Sequence, residues 1–324
     1  MFGRHSIIRW PGRPLGVKIV GMDSTRADGR AGIDAALVRR LIAAQFPPWK
    51  DLPVTPVEVD GNDNRTYRLG EDMIVRLPTA RGYVPAVAKE DQWLPKLAPV
   101  LPVAVPPILA KGAPGEGYPF PWSIRGWLPG QTADRGHIDD MSQFAASVAE
   151  FIRALQRCDT AGSPLAGEHS FYRGASPAHY DEETRRCLAA LTDRVDTTRA
   201  AAVWDAALTA TWHGPPVWFH GDIASGNLLV EGGKLTAVID FGTSGVGDPA
   251  CDLVIAWTMF SGDSRQAFRQ TVDRDEGTWA RARGWALWKA LLVLTGSKDS
   301  DPEQTATHQH VIDEVLADHN HYRQ

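Results

Sequence analysis

The sequence is poor in cysteine. Cys158, Cys187 and Cys251 are its only three, and none forms a Cys-x-x-Cys pair. That excludes a disulfide framework and a dithiol redox motif, and it fits reduced thiols in a cytoplasmic protein. Basic residues are not in excess either: 34 Lys and Arg against 39 Asp and Glu leave a net charge of −5. A general nucleic-acid binder needs a basic surface to neutralise phosphates, so no nucleic-acid partner is expected. Long apolar runs are missing as well. The most apolar late stretch, 285–294, is interrupted by Lys289 and falls well short of the roughly 20 residues that span a bilayer, so no membrane association is expected. No Gly-x-x-x-x-Gly-Lys-Ser/Thr loop occurs, which leaves a P-loop enzyme without support. Gly and Pro, 30 and 23 of 324 residues, stay below the roughly 25–30% typical of low-complexity chains, so most of the chain is expected to fold. The length suits one large or two medium domains.

The first 21 residues carry Arg4, Arg9, Arg13 and Lys18 without an acid, and Pro11 and Pro14 interrupt them. With no apolar core they do not read as a signal peptide, and residues 1–21 are expected to be a disordered basic extension ahead of an alternative start at Met22. A helix-like segment spans 33–42. Three short strands are then expected at 54–60, 65–69 and 73–77, separated by the turn residues Gly61-Asn62-Asp63-Asn64 and Gly70-Glu71-Asp72. A helix over 84–97 and extended stretches at 105–110 and 122–128 complete a small strand-rich part. After Leu128-Pro129-Gly130 the periodicity turns helical, at 137–157, 180–195 and 198–212. A strand at 217–219 and a hairpin of 227–230 with 235–240 follow, and from Pro249 to Arg323 the pattern is helical again, with Asp248 suited to the cap.

The sharpest signal is His220-Gly221-Asp222-Ile223-Ala224-Ser225-Gly226-Asn227, followed by Asp240-Phe241-Gly242. Phosphoryl transfer needs a base that orients the attacking hydroxyl and Mg²⁺ held by oxygen ligands. Asp222 fits the base, and Asn227 and Asp240 fit the metal ligands. One loop presents the first two groups and the hairpin returns the third beside them.

His-Gly-Asp-x-x-x-x-Asn followed by Asp-Phe-Gly resembles the aminoglycoside phosphotransferase family of kinase-like enzymes, whose protein-kinase relatives have Arg where Gly221 stands. The resemblance extends over roughly residues 54–296 and includes Gly247-Asp248-Pro249-Ala250-Cys251-Asp252-Leu253, where Asp252 would support the catalytic loop. It implies an α+β, protein-kinase-like two-lobed fold, with a small antiparallel-sheet nucleotide-binding lobe at 22–127. A larger, mainly helical catalytic and acceptor-binding lobe, carrying the β-hairpin insert, would occupy 128–324. It also implies ATP or GTP as donor, Mg²⁺, and a small-molecule hydroxyl acceptor, of which a cationic aminoglycoside is the leading candidate. A macrolide, a metabolic alcohol or sugar, and a non-catalytic nucleotide sensor are the alternatives; a monomer and a homodimer both remain open.

Within that resemblance, Arg76 of the Val-Arg-Leu-Pro strand stands where a phosphate-binding Lys is usual, and Glu90 on the following helix would brace it. Asn64 would lie in the nucleotide-covering loop, and Trp122 to Gly130, with Arg125 and Trp127, would offer backbone groups to adenine. Asp240 and Asp252 stand too close for a long activation segment, so a small molecule is favoured over a protein substrate. Gly245-Val246-Gly247-Asp248-Pro249-Ala250 imitates a dinucleotide fingerprint but lacks the following strand. The C-terminal acids Asp299, Asp301, Glu303, Asp313, Glu314 and Asp318 are either a solvated helix face or the aminosugar site. His308, His310, His319 and His321 are expected at the surface, and the Trp residues mainly in the core.

Overall fold

The structure is a computed structural model that describes residues 32–58, 60, 63–296 and 302–321. The basic leader, Met22, Gly61, Asn62, Asp299 and Asp301 therefore lie outside the described residues. Two compact units form. One comprises the described residues up to Pro99 together with Ala104–Pro129; the other comprises Val100–Val103 and the described residues from Gly130 onward.

The first unit is built on a five-stranded antiparallel sheet. Its strands are β1 (Val54–Pro56), β2 (Asn64–Leu69), β3 (Met73–Pro78), β4 (Ile108–Gly112) and β5 (Trp122–Gly126), in the order β1-β2-β3-β5-β4. Helices α1 (Ala35–Gln45) and α2 (Val84–Leu97) accompany it, with the Asp34 side chain capping α1 by accepting the Leu37 N–H at 2.7 Å. Leu37, Val38, Leu41 and Ile42 of α1 pack with Tyr67, Leu69, Val75, Leu77, Trp122 and Ile124 in one apolar core. Burying each such side chain contributes about 1.5–3 kcal/mol. Two strands differ from expectation for chemical reasons. Beyond Pro56 the Val57 N–H still reaches the Thr66 carbonyl at 3.3 Å, but Asp60 turns its carboxylate to the Thr66 N–H (3.0 Å) and Arg65 (2.8 Å), so a side chain takes over from the strand ladder. β4 starts only at Ile108, because Pro106 and Pro107 have no N–H to donate.

The second unit is mainly helical: α3 (Met141–Gln156), α4 (Asp181–Ala190), α5 (Thr197–Thr209), α6 (Ile255–Thr258), α7 (Gly262–Val272), α8 (Glu276–Gly296) and α9 (Pro302–His321). α3 starts four residues later than its periodicity suggested, because Asp140 accepts the N–H groups of Ser142 (2.8 Å) and Gln143 (3.0 Å) and sets the first turn. Its buried stripe of Phe144, Val148, Phe151, Ile152 and Leu155 follows helical spacing. α8 is buried on nearly every side, Trp285 and Trp288 included, so it forms the central rod of the unit.

Two small sheets hold the loops between these helices. In one, β6 (Gln131–Thr132) pairs with β8 (Leu228–Glu231), which pairs with β9 (Lys234–Val238); in the other, β7 (Val217–Phe219) pairs with β10 (Gly245–Gly247). β6 and β10 are too short to leave a period in the sequence. His319 is buried at 5% exposure rather than at the surface, since its face of α9 packs inward.

Candidate active site

In the second unit, β7 delivers the chain into His220-Gly221-Asp222, and a 3-10 turn at Ser225–Asn227 leads into β8. Asp252, fully buried, accepts the N–H of His220 at 2.8 Å and of Gly221 at 2.7 Å. Burial pushes its carboxyl above the ordinary range, while His220 and the two amides pull it down. The loop is thus hung from a carboxylate that follows β10. Gly221 has φ +84°, and a Cβ there would stand 2.9 Å from the Thr243 carbonyl oxygen, so glycine is required by both conformation and space. His220 is enclosed. Its Nδ1 accepts the Asp222 N–H at 3.2 Å, which assigns the proton to Nε2, donating to the Ile239 carbonyl at 3.1 Å. The ring meets Phe241 edge-on at 4.6 Å, tying the loop to the Asp-Phe-Gly segment.

Asp222 and Asn227 meet directly. Asn227 Nδ2 donates to the Asp222 carbonyl at 2.9 Å and to Asp222 Oδ2 at 3.0 Å, which orients the amide and leaves its oxygen as a ligand atom. Asp240 adopts the left-handed conformation, φ +66°, at the start of the turn Phe241–Thr243. A carboxylate and an amide oxygen are the hard donors that Mg²⁺ prefers, so the residues fit that ion. Among the described residues no cluster of three or more His, Cys, Asp or Glu has metal-binding geometry. Lys289 of α8, which the sequence shows only as an interruption of an apolar stretch, brings Nζ to 3.8 Å from Asp222 Oδ1. Desolvation pushes its pKa down to about 8, against the opposing pull of Asp222 and with the help of Arg173.

Asp248 caps the segment after β10 through the Ala250 N–H (3.1 Å) and forms a buried two-point pair with Arg281, at 2.6 and 3.1 Å. Arg281 lies on α8. The same helix that carries Lys289 therefore also holds the Asp248-to-Asp252 segment in place.

In the first unit, Glu90 is 3% exposed and accepts both arms of Arg125, at 2.9 and 2.8 Å, while Arg76 Nη1 stands 3.3 Å from Oε1. Burial pushes the Glu90 carboxyl up, but Arg125, then Arg76, outweigh it and hold it at about 2. β3 and β5 align Arg76 with Ser123 and Ile74 with Arg125, so both guanidiniums share one sheet face. Part of the backbone expected to meet adenine also makes bonds within the unit. Arg125 is paired on both sides, with Ile74 and Ile108, and Trp127 donates its N–H to the Asp72 carbonyl at 2.7 Å, because β5 is a central strand whose end folds back on the β2–β3 turn. The Trp127 ring, 41% exposed, takes the Arg68 guanidinium at 4.0 Å. Asn64 opens β2 opposite Pro78.

The phosphotransferase enzyme family matches residues 54–285, over two thirds of the chain. The chain belongs to this family. No curated protein matches this phosphotransferase. Among solved structures it is similar to the GDP and kanamycin complex of APH(2")-IIia, with 18% identity, TM-score 0.64, and 87% of this chain and 98% of that chain covered. It is also similar to the streptomycin and ATP ternary complex of APH(2")-IIa (15%, TM-score 0.56, 88% and 96%). The apoenzyme of macrolide 2'-phosphotransferase MphH from Brachybacterium faecium matches at 22%, TM-score 0.54, over 87% and 97%. These likenesses show the kinase-like fold, with its antiparallel-sheet amino-terminal unit and mainly helical carboxy-terminal unit.

Proposed function

We propose that this phosphotransferase moves the γ-phosphoryl group of ATP or GTP to a hydroxyl of a small molecule. The observation that carries the reading is the Asp222 and Asn227 pair on a loop hung from Asp252. Asn227 ties up one Asp222 oxygen and leaves Oδ1 for the acceptor hydroxyl. Asp222 would orient that hydroxyl and take its proton as the new P–O bond forms and the bond from the γ-phosphorus to the bridging oxygen breaks, releasing ADP or GDP. Asn227 and Asp240 would hold Mg²⁺, which supplies charge neutralisation to the nucleotide phosphates when bound. Arg76, held by Glu90, would contact phosphate oxygens. Solved proteins of this fold bind GDP, ATP, kanamycin and streptomycin, which supports a nucleotide donor and a small hydroxylated acceptor. The test is a coupled ADP- or GDP-release assay with Mg²⁺ across aminoglycosides, macrolides and hydroxylated metabolites. Asp222→Asn is expected to lower kcat on the order of 10² to 10⁴ fold. Undiminished turnover in that variant refutes the assignment.

A further inference from the structure

The acceptor side of Asp222 is basic. Oδ2 is taken by Asn227, so a hydroxyl bound to Oδ1 lies beside the Lys289 ammonium, 3.8 Å away. Arg173 lies in the same neighbourhood, its guanidinium over the ring of Trp288, the residue before Lys289, and its charge lowers the Lys289 pKa. The Arg173 guanidinium lies 5.7 Å from the ring of Phe171 and 5.9 Å from that of Trp288, and it forms no ion pair among the described residues. Of the carboxylates in this neighbourhood, Glu183 is buried and accepts the Trp288 indole N–H at 2.8 Å, Asp248 is paired with Arg281, and Asp252 is taken up by the His220 and Gly221 amides. The backbone that carries Arg173 is held in a defined turn. Phe171 and Tyr172 are left-handed, at φ +50° and +57°, Tyr180 Oη donates to the Phe171 carbonyl at 2.9 Å, and Ser170 Oγ donates to the Arg173 carbonyl at 3.0 Å. From α9, His308 also feels Lys289, and its buried Nδ1 has no hydrogen-bond partner among the described residues.

Two of the C-terminal carboxylates that would attract a polycation are engaged elsewhere. Glu314 pairs with Arg265, and Asp318 pairs with Arg283 at 2.8 Å and Arg269 at 3.5 Å. An ammonium-rich sugar at Oδ1 would meet Lys289 and Arg173 as like charges.

We propose that Arg173 and Lys289 form an oxyanion-binding subsite beside Asp222, so that the acceptor is a hydroxylated anion carrying a carboxylate or phosphate group. The fork of Arg173 suits two oxygens of such a group, and the aromatic rings wall its carbon frame. This rests on Asp222 as the base, and the experiment separates the two ideas.

With ADP saturating, gluconate and glucose 6-phosphate are titrated against the full chain by intrinsic Trp fluorescence and melting temperature, with glucose and kanamycin as neutral and cationic controls. Wild type is expected to bind at least one anion, and Arg173→Ala, Arg173→Lys and Lys289→Met to weaken it at least tenfold, tenfold and severalfold; the two anions distinguish carboxylate from phosphate. Arg173→Lys keeps the charge and removes the fork, which guards against a loss that is merely one of folding. Turnover of the same compounds is then compared with Asp222→Asn. No anion binding, or binding indifferent to Arg173, overturns the inference, as does kanamycin turnover unaffected by Arg173→Ala. Anion binding without Asp222-dependent turnover of any acceptor refutes the kinase reading and leaves the subsite standing.

Discussion

The clamp of Glu90 on two arginines makes a quantitative demand on acid stability. A carboxyl held at about 2 in the folded chain, against an ordinary value of 4.5, contributes about 3 kcal/mol, at 1.36 kcal/mol per tenfold change in proton affinity. The folded value is depressed, so the contribution is complete above about pH 4.5 and disappears as the pH falls through about 2. Glu90→Gln removes it at neutral pH and also leaves Arg125, 1% exposed, without its partner, for a total cost of about 3–5 kcal/mol. Urea unfolding of both proteins between pH 7 and pH 2.5 reads the effect. The gap between them is expected to be widest at pH 7 and to narrow by most of 3 kcal/mol at the acid end. A companion double variant, Glu90→Leu with Arg125→Met, is expected to recover much of the neutral-pH loss, because neither charge is then stranded. A constant gap across that range, or a Glu90→Gln cost under 0.5 kcal/mol, refutes the clamp as described.

Gly221→Ala drives a Cβ to 2.9 Å from the Thr243 carbonyl and into a left-handed conformation, so a loss of about 1–3 kcal/mol in thermal unfolding is expected together with a fall in kcat as Asp222 shifts. Asp248→Asn breaks the buried pair with Arg281 and is expected to cost about 3–5 kcal/mol, checked by chemical denaturation, with Arg281→Met in the same background restoring part of it. Lys289, with a pKa of about 8 in the company of Asp222, Arg173 and His308, is charged below that pH and neutral above it. The KM of an anionic acceptor is therefore expected to rise as the pH passes 8, and steady-state kinetics should show that step vanish in Lys289→Met.

The His-Gly-Asp and Asp-Phe-Gly segments were legible because their chemistry is confined to a few adjacent residues, and α2 because its apolar spacing and flanking turns agree with its packing. The partners were not. Lys289 hides in an apolar helix, and Arg281 reaches Asp248 across 33 positions of sequence, which no local pattern encodes. The Arg125 side chain also pairs with Glu90, because the register of β3 and β5 sets it beside Arg76, a partnership that no local pattern announces. The boundaries of α3 and β4 moved to where Asp140 and Pro107 fix hydrogen bonding, a local effect that outweighs periodicity.

The bidentate bond between Glu90 and Arg125 has a regulatory meaning. In an enzyme switched by swinging a helix, the corresponding carboxylate must let go of its cation and find it again. Here the carboxylate is fastened by two hydrogen bonds to an enclosed guanidinium on a central strand. Letting go at this joint would strand a buried guanidinium, so a swing of α2 away from β5 carries the cost of a broken buried ion pair, about 3–5 kcal/mol.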